Sequence, residues 1–174
     1  MRQEIRIAGT GGMGVVLAAV IAGQAAINAG LNAVQSQSYG SEARGTSAKS
    51  EVIISTDEIH YPEVRKSDIL VAMNQKALDM YLSDAKPKSI VIADPDLVDT
   101  SQIEKDFQVI SVPAMRTADE IGQRIVSNMV MLGSLVKLVK EISTESLEKA
   151  VASSVPQKYL DINIKAVRAG ASFV

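Results

Sequence analysis

Ile5-Arg6-Ile7-Ala8-Gly9-Thr10-Gly11-Gly12-Met13-Gly14-Val15-Val16 decides the fold. Ile5 and Ile7 alternate with their neighbours at the period of a half-buried strand. The strand stops at glycine, and the small-residue run from Val15 to Ala29 reads as a helix spanning about Gly12 to Ala29. Gly9, Gly11 and Gly14 fit the G-x-G-x-x-G spacing, with Gly12 added. Such a turn needs glycine because the chain reverses tightly and the helix packs close to the sheet. It also leaves the first helical N–H groups open to an anion, which the helix dipole favours. Glycines serving only tight strand-to-helix packing give the same pattern.

The residues after the turn narrow its chemistry. A nicotinamide-dinucleotide site needs an acid about 20 residues further on, at the end of the second strand. Leu31 to Ser38 holds no Asp, Glu or Arg, and the turn lacks the G-K-[ST] ending of a nucleoside-triphosphate loop. A stand-alone dehydrogenase is therefore disfavoured.

Composition removes other classes. The 174 residues fit one domain, 1–174, with 47% hydrophobic and 22% charged residues. A net charge of −2 and 3% aromatics speak against a nucleic-acid partner. There is no cysteine, hence no thiol catalysis, disulfide or cysteine-held cluster in this chain. One histidine, His60, argues against a histidine-based metal site and reads as a surface or packing residue. No membrane span is visible, and the chain enters a strand at once without a signal peptide, so a cytoplasmic location is expected.

Further strands are expected at Leu31–Ser38, Lys49–Ser55, Ser67–Met73, Lys88–Ala93 and Phe107–Val112. Asn74 reads most simply as the cap of a helix running to about Leu82, the other reading being that Asn74 and Gln75, at a strand end, reach the ligand crevice. After Pro113 the pattern is helical: Met115–Arg124, Ile125–Ile142, Glu145–Ala152 capped by Ser143 or Thr144, and a last helix from Ser154 to about Ala169, ended by Gly170. This order predicts an α/β, Rossmann-like, mostly parallel sheet flanked by helices, with a helical C-terminal third. The uncharged first helix should be covered by the sheet, by other helices or by a partner subunit.

Ser38-Tyr39-Gly40-Ser41-Glu42-Ala43-Arg44-Gly45-Thr46-Ser47 is the least ordinary stretch. Arg44 offers a planar fork of donors for phosphate or carboxylate, Tyr39 and Ser41 offer hydroxyls, and Gly40 and Gly45 let the backbone approach a ligand. In an open parallel sheet this loop and the Gly9–Gly14 turn both lie at the carboxyl edge, facing one crevice. The alternative is a Glu42–Arg44 salt bridge fixing a subunit contact. Met115, Met129 and Met131 recur at helical spacing and read as core, although methionines also build adaptable surfaces.

Gly9-Thr10-Gly11-Gly12-Met13-Gly14, Ser38 to Gly45, Leu70-Val71-Ala72-Met73-Asn74-Gln75, Asn128-Met129-Val130-Met131-Leu132-Gly133 and the Glu145-to-Ala150 helix, in that order, resemble the gamma subunit of the 2-oxoacid:ferredoxin oxidoreductases from end to end. The 2-oxoglutarate type is nearest; the pyruvate and branched-chain types are the other options. Met13 stands where the family often has Gln, and Ser41 where it often has Pro. The resemblance implies a subunit inactive alone, in a cytoplasmic complex with alpha, beta and ferredoxin-like delta subunits and with ferredoxin as electron acceptor. Thiamine diphosphate and iron–sulfur clusters would sit on those partners, none being bound by this chain alone, and coenzyme A would be a cosubstrate. Gly9, Gly11, Gly12, Gly14, Tyr39, Gly40, Ser41, Glu42 and Arg44 are then the candidate contacts to coenzyme A or its phosphates, with no catalytic residue here. A free nucleotide- or phosphate-binding module is the competing reading, and a homodimer is one state open to the isolated chain.

Overall fold

A computed structural model describes residues 1–39, 47–103 and 106–174. Six strands form one sheet: β1 (Arg2–Thr10), β2 (Asn32–Tyr39), β3 (Ser47–Ser55), β4 (Ser67–Ala72), β5 (Ala85–Ala93) and β6 (Gln108–Ser111). Their order is β2-β3-β1-β4-β5-β6. β1, β4, β5 and β6 run parallel, while β3 lies antiparallel to both β1 and β2. β3 alone is reversed because the segment between Tyr39 and Ser47 is too short for a parallel crossover, which takes about a dozen residues. The expected mostly parallel sheet is present. Its second strand is separated from the first by β3.

Strand alternation divides the apolar residues between the two faces. Ile5, Ile7, Val52, Ile54, Ile69, Val71 and Ile92 belong to one core with α1 (Val15–Asn28) and the C-terminal helices α3 (Ala114–Ile121), α4 (Ser127–Leu138), α5 (Thr144–Ser154) and α6 (Leu160–Ala171). Leu70, Ala72, Val91 and Ala93 face the other way, against Leu78 of α2 (Gln75–Tyr81) and Val98. On that second side β1 and β3 carry charge. Arg6, 2% exposed, donates from Nε to Glu51 at 2.8 Å and from Nη2 to the Val64 carbonyl at 3.0 Å. A guanidinium is tolerated there because carboxylate and carbonyl oxygens replace its water.

Helix α1 buries Val15, Ala18, Ala19, Ile21, Ala22, Ala25 and Ala26, while Leu17, Val20 and Ile27 are exposed. Its small buried residues let it lie close to the sheet and to α5, where Asn28 Nδ2 donates to the Ser146 carbonyl at 3.1 Å.

The C-terminal helices depart from the expected boundaries. The long helix over Ile125–Ile142 is a 3-10 turn, Arg124–Val126, followed by α4, because Val139 turns to an extended conformation. The preceding helix stops at Ile121, where Gly122 adopts φ 106°. Gly170 does not end the last helix. It lies inside α6 and faces the Val130 carbonyl of α4, while Gly133 of α4 faces the Val167 carbonyl of α6. The two glycines remove side chains from opposite walls of one crossing, which is why the helices approach so closely. Ser134 Oγ donates to the Gly170 carbonyl across the same contact at 2.7 Å.

A methyl group at position 170 would collide with backbone, which cannot swing aside. Gly170→Ala is expected to lower unfolding free energy by about 1–3 kcal/mol, the usual range for overpacking. Urea denaturation measures this, and an unchanged midpoint would show that α4 and α6 separate at no cost.

Helices α5 and α6 are also joined by Glu148, which accepts from Arg168 Nε at 2.6 Å and Nη2 at 2.9 Å. The Arg168 hydrogen bonds hold the Glu148 carboxyl below its ordinary value. A carboxyl with a lowered folded pKa stabilises above its unfolded value of about 4.3, and that stabilisation is lost as pH falls through the folded value. Arg168 is largely exposed, so Glu148→Gln should cost less than about 1 kcal/mol at pH 7. In a series of acid denaturations the difference from wild type should shrink as pH falls below about 4.3 and vanish only once the folded-state carboxyl is itself protonated, and a constant difference at all pH values would rule out the ionic origin.

Candidate functional site

The carboxyl edge of the parallel strands gathers the glycine turn, the start of α2 and the start of α3. β1 ends at Thr10, and the Met13 amide donates back to the Thr10 carbonyl at 3.1 Å to close the turn. Gly14 then adopts φ 73° and serves as the N-cap of α1. Two constraints exclude a side chain there: the left-handed conformation, and the Asn128 carboxamide of α4 packed against the space a Cβ would take. Asn128, 5% exposed, leans its Nδ2 on the Gly14 carbonyl at 3.4 Å.

Among the described residues no side chain caps α1, and its first turn carries no acid. Among those residues its leading amides therefore have neither an intrahelical carbonyl nor a capping oxygen, and no acid on the helix competes with an incoming anion for the positive end of the dipole. Gly11 and Gly12 are exposed, and Gly9, Thr10, Met13 and Gly14 line up between them and the sheet. A pocket of about 480 Å³, walled by Leu17, Ile125, Val126, Met129 and Tyr159, adjoins Gly12 and Gly14 on the side of α4 and α6.

β4 delivers the next group. Asn74 caps α2 as expected, its Oδ1 accepting from the Ala77 amide at 2.8 Å. That bond directs the amide nitrogen the other way, to Thr10 Oγ1 at 2.6 Å. The side chain thus ties the ends of β1 and β4 together. β5 ends in Asp94, 1% exposed, which accepts from the Asp96 amide at 2.9 Å and the Met115 amide at 2.7 Å. These bonds make Asp94 a turn-and-cap residue and aim the start of α3 at the edge.

Gly9, Gly11, Gly12 and Gly14 all fall in this turn. Gly40, Ser41, Glu42 and Arg44 lie outside the described residues, as does the side chain of Tyr39. The backbone flanks are placed: Tyr39 pairs with Ala48, and Ser47 pairs with Thr10. Both ends of the segment carrying Arg44 therefore meet the edge that bears the glycine turn. β2 is also two strands away from β1, so a ribose-binding acid at its end would not stand beside the turn as a dinucleotide site requires.

Three participants were not foreseen. Thr10 was hidden among glycines, Asn128 was one polar letter at the start of an apolar helix, and the thioether of Met13 gave no polar signal. A carboxamide buried in an otherwise apolar helix was the usable hint, since buried amides need partners. Met129 and Met131 are core residues, as expected. His60 is exposed, and no group of three or more His, Cys, Asp or Glu among the described residues is arranged to hold a metal. No helix among the described residues is long and apolar enough to cross a membrane.

The pattern of the pyruvate ferredoxin/flavodoxin oxidoreductase family matches residues 4–173. The chain belongs to that family. It is 46% identical over 181 residues to 2-oxoglutarate synthase subunit KorC of Methanothermobacter marburgensis, covering 100% of this chain and 97% of that protein. The keto/oxoacid ferredoxin oxidoreductase gamma subunit of Geobacter sulfurreducens has the same fold, with TM-score 0.87 and 40% identity over 99% of this chain and 95% of that one. A 2-oxoglutarate:ferredoxin oxidoreductase from Magnetococcus marinus, described with 2-oxoglutarate, coenzyme A and succinyl-CoA bound, contains the fold at TM-score 0.90 and 24% identity; the match covers 99% of this chain and 31% of that chain. The family resemblance drawn from the short motifs is therefore correct. This chain is a subunit of a 2-oxoacid:ferredoxin oxidoreductase.

Replacing Asn74 separates its two duties. Asn74→Ala should lose the cap and cost about 1 kcal/mol. Asn74→Asp keeps an acceptor for Ala77 but cannot donate to Thr10, and it adds negative charge beside the turn. Thermal melts should show the Asp variant more stable than the Ala variant at pH 7, and equal melts would mean the cap contributes nothing.

Proposed function

We propose that this chain acts as one gamma-type unit, residues 1–174, in a complex that oxidises a 2-oxoacid with coenzyme A, 2-oxoglutarate being the substrate for which its relatives at 45–47% identity are named. Its own part is to hold the phosphates of coenzyme A at the carboxyl edge of the sheet. The observation that carries this reading is the acid-free, uncapped start of α1 beside Thr10, with the flanks of the Tyr39–Arg44 segment at the same edge. The amides around Gly11, Gly12 and Gly14 supply N–H donors, and Arg44 supplies a charged fork. The fold shared with a protein described with coenzyme A bound is consistent with this role.

Chemistry at the 2-oxoacid carbon is assigned to partners. Decarboxylation and electron transfer would use thiamine diphosphate and iron–sulfur clusters held by alpha, beta and ferredoxin-like delta subunits, with ferredoxin as acceptor. This chain has no cysteine with which to ligate a cluster. What it can do is fix a dianionic tail so that the thiol end approaches a neighbouring subunit in a limited set of orientations, which raises the effective concentration of the nucleophile.

Steady-state kinetics of the assembled complex test this. Arg44→Ala should raise the apparent KM for coenzyme A by roughly ten- to a hundredfold, the value of one charge-assisted hydrogen bond of about 1.5–3 kcal/mol. The KM for the 2-oxoacid should stay unchanged. An unaltered coenzyme A KM in a fully assembled complex would assign Glu42 and Arg44 to a subunit contact instead.

A further inference from the structure

Met13 folds back over the end of β1. Its sulfur accepts from the Thr10 amide at 3.4 Å, and the second hydrogen of Asn74 Nδ2 points to it at 3.7 Å. The same sulfur lies 3.3 Å from the space a Cβ on Gly9 would fill. Two donors from neighbouring strands thus converge on one acceptor, and that acceptor is a thioether. Sulfur is a weak partner for N–H groups, whereas a phosphate oxygen is a strong one. Behind Met13 lies a void of about 10 Å³ lined by Met73, Met115, Met131 and Leu97, side chains that repack easily, and by Asp94, whose carboxylate is held by the Asp96 and Met115 amides.

We infer that the Thr10 amide and Asn74 Nδ2 are anion donors of this edge, and that Met13 covers them in the free chain and turns aside when a phosphate oxygen takes its place. This rests on the coenzyme A reading above and adds to it a gate and two contacts. The covered state is stable because both donors keep an acceptor and Gly9 leaves room for the sulfur. It yields because the bonds broken are weak, the side chain is unbranched and half-buried, and its neighbours are soft. A binding-competent state that is only partly populated weakens apparent affinity by that fraction, so removing the cover should tighten binding. Met13 is a positioning residue: it controls access to the donors and has no part in the chemistry.

The test is a titration of the full chain with coenzyme A, followed by nuclear magnetic resonance of the backbone amides and of methionine ε-methyl groups. The Met13 methyl signal is identified by its loss in Met13→Ala. The expected result is that the Thr10 amide and the Met13 methyl shift along one binding curve, and that Met13→Ala binds coenzyme A at least threefold more tightly by calorimetry. Movement of the Thr10 amide with a stationary Met13 methyl would overturn the gate and leave the coenzyme A site standing. Equal affinity of wild type and Met13→Ala would also overturn it, since the cover would then hold nothing closed. If neither Thr10 nor Gly11 and Gly12 responds while the chain remains folded, the gate and the site fall together.

Discussion

Position 14 has no side chain, and the arrangement of the carboxyl edge follows from that. With φ 73° the backbone leaves the turn and enters α1 at once, and the space where a Cβ would project is taken by Asn128. A helix from the far end of the sequence is thereby locked against the first turn. Asn128 lies in the first turn of α4, which is buried along most of its length, so the turn is seated on a well-enclosed helix. Rigidity at the turn thus comes from packing behind it, while its front, Gly11 and Gly12, stays open to solvent.

The rest of the fold serves that seat in two different ways. On the helical side, shape does the work: small residues on α1 and the paired glycines of α4 and α6 bring backbones close enough for dispersion and apolar burial to act over many atoms. On the opposite side of β1 and β3, charge does it. Arg6 and Glu51 hold the two strands in register through a buried ionic contact, at 2.7 Å in its shortest arm. Such a pair contributes little net energy compared with apolar packing, but losing either partner would strand a charge. β1 is therefore fixed on one face by volume and on the other by electrostatics, with Thr10 at its tip.

Much of this was legible in the one-dimensional pattern because it depends on neighbours close in sequence. Strand period, the glycine spacing, the Asn74 cap and the Ser143 cap are local and came out correctly. The family was legible too, from several short motifs read together. The misreadings share one cause. Gly170 looked like a helix stop because glycine usually is one; only the path of α4 reveals that it is a contact glycine. The helix expected from Ile125 to Ile142 breaks where tertiary packing turns Val139. The place of β3 between β1 and β2 was hidden as well, because strand order depends on which edges pair in space.

The sequence by itself determined that a strand meets an apolar, uncharged helix through a glycine turn, that no cysteine chemistry occurs in this chain, and to which enzyme family it belongs. These are matters of residue type and short-range spacing, which stereochemistry translates almost directly. Tertiary structure decided which donors meet at the turn. Thr10, Met13, Asn74 and Asn128 are distant in the chain, and they come together because parallel strands end at a common edge and a buried helix closes it from behind. No spacing rule encodes that meeting, since it depends on how the whole sheet pairs and packs.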